Sequence, residues 1–157
     1  MYIPPYDVIP NELGLIQGDI EAGKPVTIPA KLFKVLLEVA VSQASFDEKN
    51  YLDRNPDVKD AVSNGSIANA RRHYVGFGYF ENRRGGTPPV DEGWYLRSYP
   101  DVASAIRTGQ VGSATEHFET TGVQEWRAPR VEMLQDAELW KTLCTGFENA
   151  ALRTQNS

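Results

Sequence analysis

One cysteine, two histidines and no surplus of positive charge narrow the field before any pattern is read. The lone Cys144 excludes an internal disulfide and any zinc site built mainly from thiolates. It sits inside an apolar helical pattern, so the expectation is a buried, inert thiol. With a formal net charge of −5 and a sequence pI of about 5.1, the chain is a poor general partner for duplex nucleic acid. No apolar run reaches the length of a membrane span. Residues 1–10 carry neither a basic n-region nor an apolar h-region. The expectation is a protein that is cytoplasmic as synthesised, with export or association with a virion or envelope open through a partner or a non-classical route. Also missing are a Gly-x-Ser-x-Gly elbow, a phosphate-cradling glycine loop and a His-Glu-x-x-His pair, so the chain reads as no enzyme and as needing no cofactor. No alternating strand pattern is present, which leaves an all-α fold.

What the sequence does contain is an internal repeat. Residues 46–83 align with residues 90–127 at a shift of 44 without a gap, and fourteen of the 38 pairs are identical. The identities include Asp47/Asp91, Tyr51/Tyr95, Pro56/Pro100, Asp57/Asp101, Gly65/Gly109, Ala70/Ala114, His73/His117, Gly78/Gly122, Glu81/Glu125 and Arg83/Arg127. Each copy predicts three short helices. Asp47 and Asp91 are caps for the first, with Phe46/Tyr51 and Val90/Tyr95 at the staple positions. Pro56 and Pro100 end that helix and open the second, which Gly65 and Gly109 stop in a left-handed conformation. The third is expected from near Ser66 or Ser113 to Gly78 or Gly122, with Ala70, His73, Tyr74 and Phe77 on the inward face of the first copy.

Around the repeats, residues 1–28 read as an extended, proline-fixed arm (residues 1–10) and a short helix over 11–22, capped by Asn11 and stopped by Gly23. The arm's Tyr2, Ile3, Tyr6, Val8 and Ile9 suit it to lying along the body or docking on a second chain. Residues 29–45 form an amphipathic helix expected to wall the repeats. Residues 129–157 hold a C-terminal helix, traced by Met133, Leu134, Ala137, Trp140, Cys144, Phe147 and Ala151, and a frayed tail. The architecture expected is two tandem three-helix repeats packed between an N-terminal and a C-terminal amphipathic helix, in one compact domain.

The pattern Phe-Asp…Tyr-Leu…Asn-Pro-Asp-Val…Ala-Val…Gly…Ala…His-Tyr…Gly…Glu-x-Arg resembles a short repeat of bacterial envelope proteins. That repeat is an appendage of glycosyltransferases of the rhamnan-synthesis and exopolysaccharide types, and of large calcium-dependent secreted proteins. The resemblance covers about half of the chain and implies a module without active-site residues of its own. Relatives of that kind usually carry glycine at the positions of Asn82 and Trp126, and asparagine at that of Tyr99.

The candidate functional residues come from comparing the copies. Asp57, His73, Asp101 and His117 recur in the same frame, which opens a metal-dependent enzyme using Asp–His pairs. The structural alternative has each histidine half-buried and bonded to a backbone carbonyl or to the aspartate, with each aspartate capping its own helix; it takes precedence, so no metal is expected. Unmatched residues are better candidates for binding. Phe80, Trp94, Tyr99 and Trp126 stand opposite polar residues, and exposed aromatics suit a protein hot spot or a stacked sugar ring. Arg71, Arg72 and Arg84 form a possible basic patch for a carboxylated glycan or an acidic protein surface. The expected function is a non-catalytic protein-interaction or scaffold module working with bacterial cell-surface polysaccharide, through a protein partner or self-association. Direct glycan binding on a secreted or virion surface is the alternative.

Overall fold

Proline and glycine set the ends of most helices in this chain, and the rest of the fold follows from what those ends permit. A computed structural model describes the backbone of residues 2–154 and the side chains of residues 2–145. No strand occurs among the described residues, so the protein is all-α. The chain divides into two units, Met1–Gln43 and Ala44–Ser157.

The first unit holds three helices: α1 (Val8–Glu12), α2 (Gln17–Glu21) and α3 (Ala30–Gln43). The expected extended arm is shorter than its prolines suggest. Pro10 lies in the first turn of α1, where the backbone N–H it lacks has no helical partner to lose. Asn11 is inside α1 rather than its cap. The helix expected over 11–22 is broken by Gly14 at φ +68°, and Gly23 at φ +63° ends α2. Lys24 closes the end of α2 with an ion pair to Asp19 at 2.5 Å.

In the second unit, α4 (Glu48–Arg54), α5 (Pro56–Ser63) and α6 (Ala70–His73) correspond to α7 (Glu92–Ser98), α8 (Pro100–Arg107) and α9 (Ala114–His117). Asp47 accepts from the N–H of Asn50 at 3.0 Å, and Asp91 from that of Trp94 at 2.9 Å. Both bonds satisfy donors that a bare helix start would orphan. Pro56 and Pro100 each open their helix, as the sequence requires. Gly65 at φ +78° and Gly109 at φ +73° follow the helix ends. After α8, Gly109 N–H donates to Ile106 and Gln110 N–H to Ala105, which is the paired bonding of a Schellman end. After α5, Ile67 N–H reaches back to Ala61 instead, so the chain stays wrapped around the helix end. The third helix of the first copy starts from Asn69, whose side chain accepts from Arg72 N–H at 2.8 Å, and not near Ser66.

α6 and α9 each run straight into a π-helical turn, Tyr74–Gly78 and Phe118–Gly122. Tyr79 N–H donates to Tyr74 and Arg83 N–H to Gly78. Val123 and Arg127 repeat the bonds with Phe118 and Gly122. The widened turn rotates the residues that follow α6 and corrects the expected inward face, because Phe77 is 63% exposed. The buried residues are Tyr51, Val58, Ala70 and Tyr74 in the first copy and Tyr95, Val102, Ala114 and Phe118 in the second. Ala70 and Ala114 are small enough for the three helices of each set to meet. Each set is closed by a backbone bond from its own cap residue, Asp47 N–H to Gly86 and Asp91 N–H to Pro129.

A short 3₁₀ turn, Val131–Met133, leads into α10 (Leu134–Thr154). Met133 and Ala137 are half-buried, whereas Leu134, Leu139, Trp140 and Leu143 are exposed. Cys144 is exposed as well, contrary to the expected buried thiol. Its helical face has no cover among the described residues at that position, so apolar periodicity alone did not imply burial. The side chains of Phe147 and Ala151, and the tail residues 155–157, lie outside the described residues.

Candidate functional site

The duplicated polar residues hold the frame together, with partners other than those expected. Tyr51 hydroxyl and His73 Nδ1 share a hydrogen bond of 3.0 Å, and Tyr95 and His117 share one of 3.1 Å. Neither histidine is paired with an aspartate. Asp57 accepts from Arg83 Nη1 at 2.7 Å and Asp101 from Arg127 Nη2 at 2.7 Å. The same arginines reach Glu81 and Glu125 through Nε at 2.7 and 2.6 Å. Each Glu-x-Arg thus ties the end of its segment to the first turn of α5 or α8. Both aspartates are held below the usual carboxylate range, first by the arginine hydrogen bond. Among the described residues no cluster of three or more His, Cys, Asp or Glu is placed to hold a metal.

The four unmatched aromatics, Phe80, Trp94, Tyr99 and Trp126, are all half-buried. Tyr99 replaces Asn55 and does similar work. Asn55 donates to the carbonyls of Tyr51 and Arg84 at 2.7 and 2.9 Å, while Tyr99 hydroxyl accepts from Ala128 N–H at 3.1 Å. The Tyr99 ring packs on Tyr95 at 4.6 Å and on Trp94 at 6.0 Å, and the Arg127 guanidinium lies 4.8 Å from its centre. Phe80 meets Tyr79 edge-on at 5.3 Å. Trp126 has φ +60° and Asn82 φ +55°, a conformation that favours glycine.

The arginines do not form one patch. Arg71 donates to the carbonyl of Ala44 at 2.8 Å and lies over the Phe46 ring. Arg84 pairs with Glu119 at 3.3 Å, and Arg54 pairs with the same carboxylate at 2.9 Å. Glu119 belongs to the second π-helical turn, so this three-membered cluster joins the two copies. Arg72 lies elsewhere, on an open groove of about 470 Å³ lined by Gly65, Ser66, Ile67, Ala68, His73 and Phe77 as well. No family model, curated protein or solved structure matches this chain.

Comparison of the copies points to one lining residue of this groove, Arg72, but not to Phe77. Arg72 stands opposite Glu116 in the second copy. Phe77 against Thr121 is an equally sharp mismatch, but regular helical spacing assigns Phe77 to the core. A π-helical turn leaves no periodic signature in five residues, so nothing in the pattern marked the rotation.

Proposed function

We propose that this chain is a non-catalytic helical repeat protein, built on two copies of one three-helix unit, that binds a protein partner in a cell-surface polysaccharide system. The polysaccharide setting rests on the resemblance of residues 46–83 and 90–127 to the envelope repeat. The binding role rests on one observation: Leu139, Trp140 and Leu143 are 56%, 51% and 53% exposed on α10. At about 100° per residue these three side chains fall within one face of the helix. An exposed apolar helical face of that kind suits the groove of another protein or the same face of a second copy.

Sedimentation velocity reports self-association, and a pull-down reports a different partner. The triple substitution L139Q/W140Q/L143Q is expected to keep the parent melting curve and to lose whichever association the parent shows. A parent protein that stays monomeric and captures nothing contradicts the proposal, as does a triple variant that associates like the parent.

A further inference from the structure

The two copies serve as controls for each other, because whatever the frame needs is present in both. The first copy has Arg72, His73 and Phe77 where the second has Glu116, His117 and Thr121. In the second copy Glu116 turns back and accepts from Gly112 N–H at 3.0 Å, and His117 is buried. The frame is therefore complete with a carboxylate and a threonine at these two positions. In the first copy Arg72 contributes only its N–H to the Asn69 cap, a bond that any residue but proline supplies. Arg72 and Phe77 both line the groove instead.

The chemistry of the groove is specific. Phe77 presents an apolar face of a kind that folding normally covers, and the His73 ring lies 5.9 Å from it at 33°, extending the platform. His73 is held there by its bond to Tyr51. No residue lining the groove carries a carboxylate, although the protein as a whole is acidic. An exposed aromatic ring and an arginine on one groove match a ligand ring with an apolar face and a carboxylate on its edge. The aromatic face takes the C–H face of the ring, and the guanidinium takes the carboxylate in bidentate fashion. We propose that the Arg72–Phe77 groove binds a carboxylate-bearing sugar unit of an acidic polysaccharide. This site is separate from the α10 face, so either stands if the other fails.

The test uses the full chain with oligogalacturonate, oligoglucuronate and oligomannuronate, and with methyl-esterified oligogalacturonate as the uncharged probe. Calorimetry gives affinity, and amide chemical shifts give location. At least one oligouronate is expected to bind and to shift amides in residues 65–78, with the esterified form at least tenfold weaker. R72E and F77T, which install the residues of the second copy, are expected to melt like the parent and to bind at least tenfold more weakly. Absence of binding to all three oligouronates overturns the proposal. So does equal affinity for the esterified form, unchanged affinity in both variants, or shifts confined to other residues.

Discussion

A methyl group added at Gly78 would fall on the hydroxyl of Tyr51, and one at Gly122 on the hydroxyl of Tyr95. Both tyrosines are wholly buried and bonded to a histidine, so neither ring has room to retreat. G78A and G122A are each expected to destabilise by about 1–3 kcal/mol in denaturant titration, the usual cost of overpacking. Gly65 is conserved between the copies for a different reason. Nothing lies within 4 Å of a Cβ placed there, so only its positive φ matters. G65V should cost about 1 kcal/mol or more, whereas N82G, at a φ of +55°, should gain a few tenths to about 1 kcal/mol. The same tyrosines set an alkaline limit. Burial pushes the Tyr51 and Tyr95 hydroxyls up to about 12 from the ordinary tyrosine value of 10.0. Between these values the unfolded chain loses the phenolic protons while the folded one keeps them, so stability is full below pH 10 and falls towards pH 12. Melting temperature measured across this window should drop steeply in the parent and less steeply in Y51F/Y95F.

At the scale of elements, the parts legible in the sequence were those fixed by single residues with one mechanical effect. Pro56 and Pro100 start helices, Asp47 and Asp91 cap them, and Gly65 and Gly109 take the left-handed conformation, all as their chemistry dictates. The parts that were not legible depend on partners distant in the chain. Asp57 and His73 share a frame but face different ways, because Arg83 claims the carboxylate and Tyr51 claims the imidazole. Tyr99 reads as a surface aromatic because Asn55 is polar, yet Asn55 is itself buried and donates its amide to two carbonyls. Cys144 shows the reverse error, an apolar period without a covering surface among the described residues. The π-helical turns were hidden for a geometric reason, since one extra residue per turn shifts Phe77 outward without altering composition. The Arg83–Asp57 and Arg127–Asp101 bonds carry a further expectation on the acid side. Their aspartates have depressed pKa values, so this contribution is fully present above the ordinary carboxylate value and is lost as pH falls from there through the lowered values. R83M/R127M should therefore melt lower than the parent at pH 7 and differ less from it at pH 3.

At the scale of the molecule, the core among the described residues lies within residues 44–157. Every fully buried side chain among the described residues belongs to this unit, and each three-helix set is tied shut by its own backbone bond, to Gly86 or to Pro129. Glu119 adds the link between the sets by meeting Arg54 of α4 and Arg84 of the connecting segment at once. The carboxylate is mostly shielded from solvent while the arginines are half open, so the cluster is worth about 1 kcal/mol rather than the several of a buried pair. Gly85 and Gly86 keep the connection pressed against α4 and Tyr74, where a side chain would collide with the Asn50 carbonyl or the Tyr74 ring. Two consequences follow from this arrangement. A chain shortened to residues 44–157 should fold alone, with a single cooperative transition within a few degrees of the corresponding transition of the full protein. E119A should lower the stability of that shortened chain by about 1 kcal/mol, and the effect should vanish when Arg54 and Arg84 are already replaced. If the shortened chain is molten, with helical circular dichroism but no sharp melting, the first unit must supply part of the core. If E119A costs the same whether or not the arginines are present, the carboxylate is not the link between the copies.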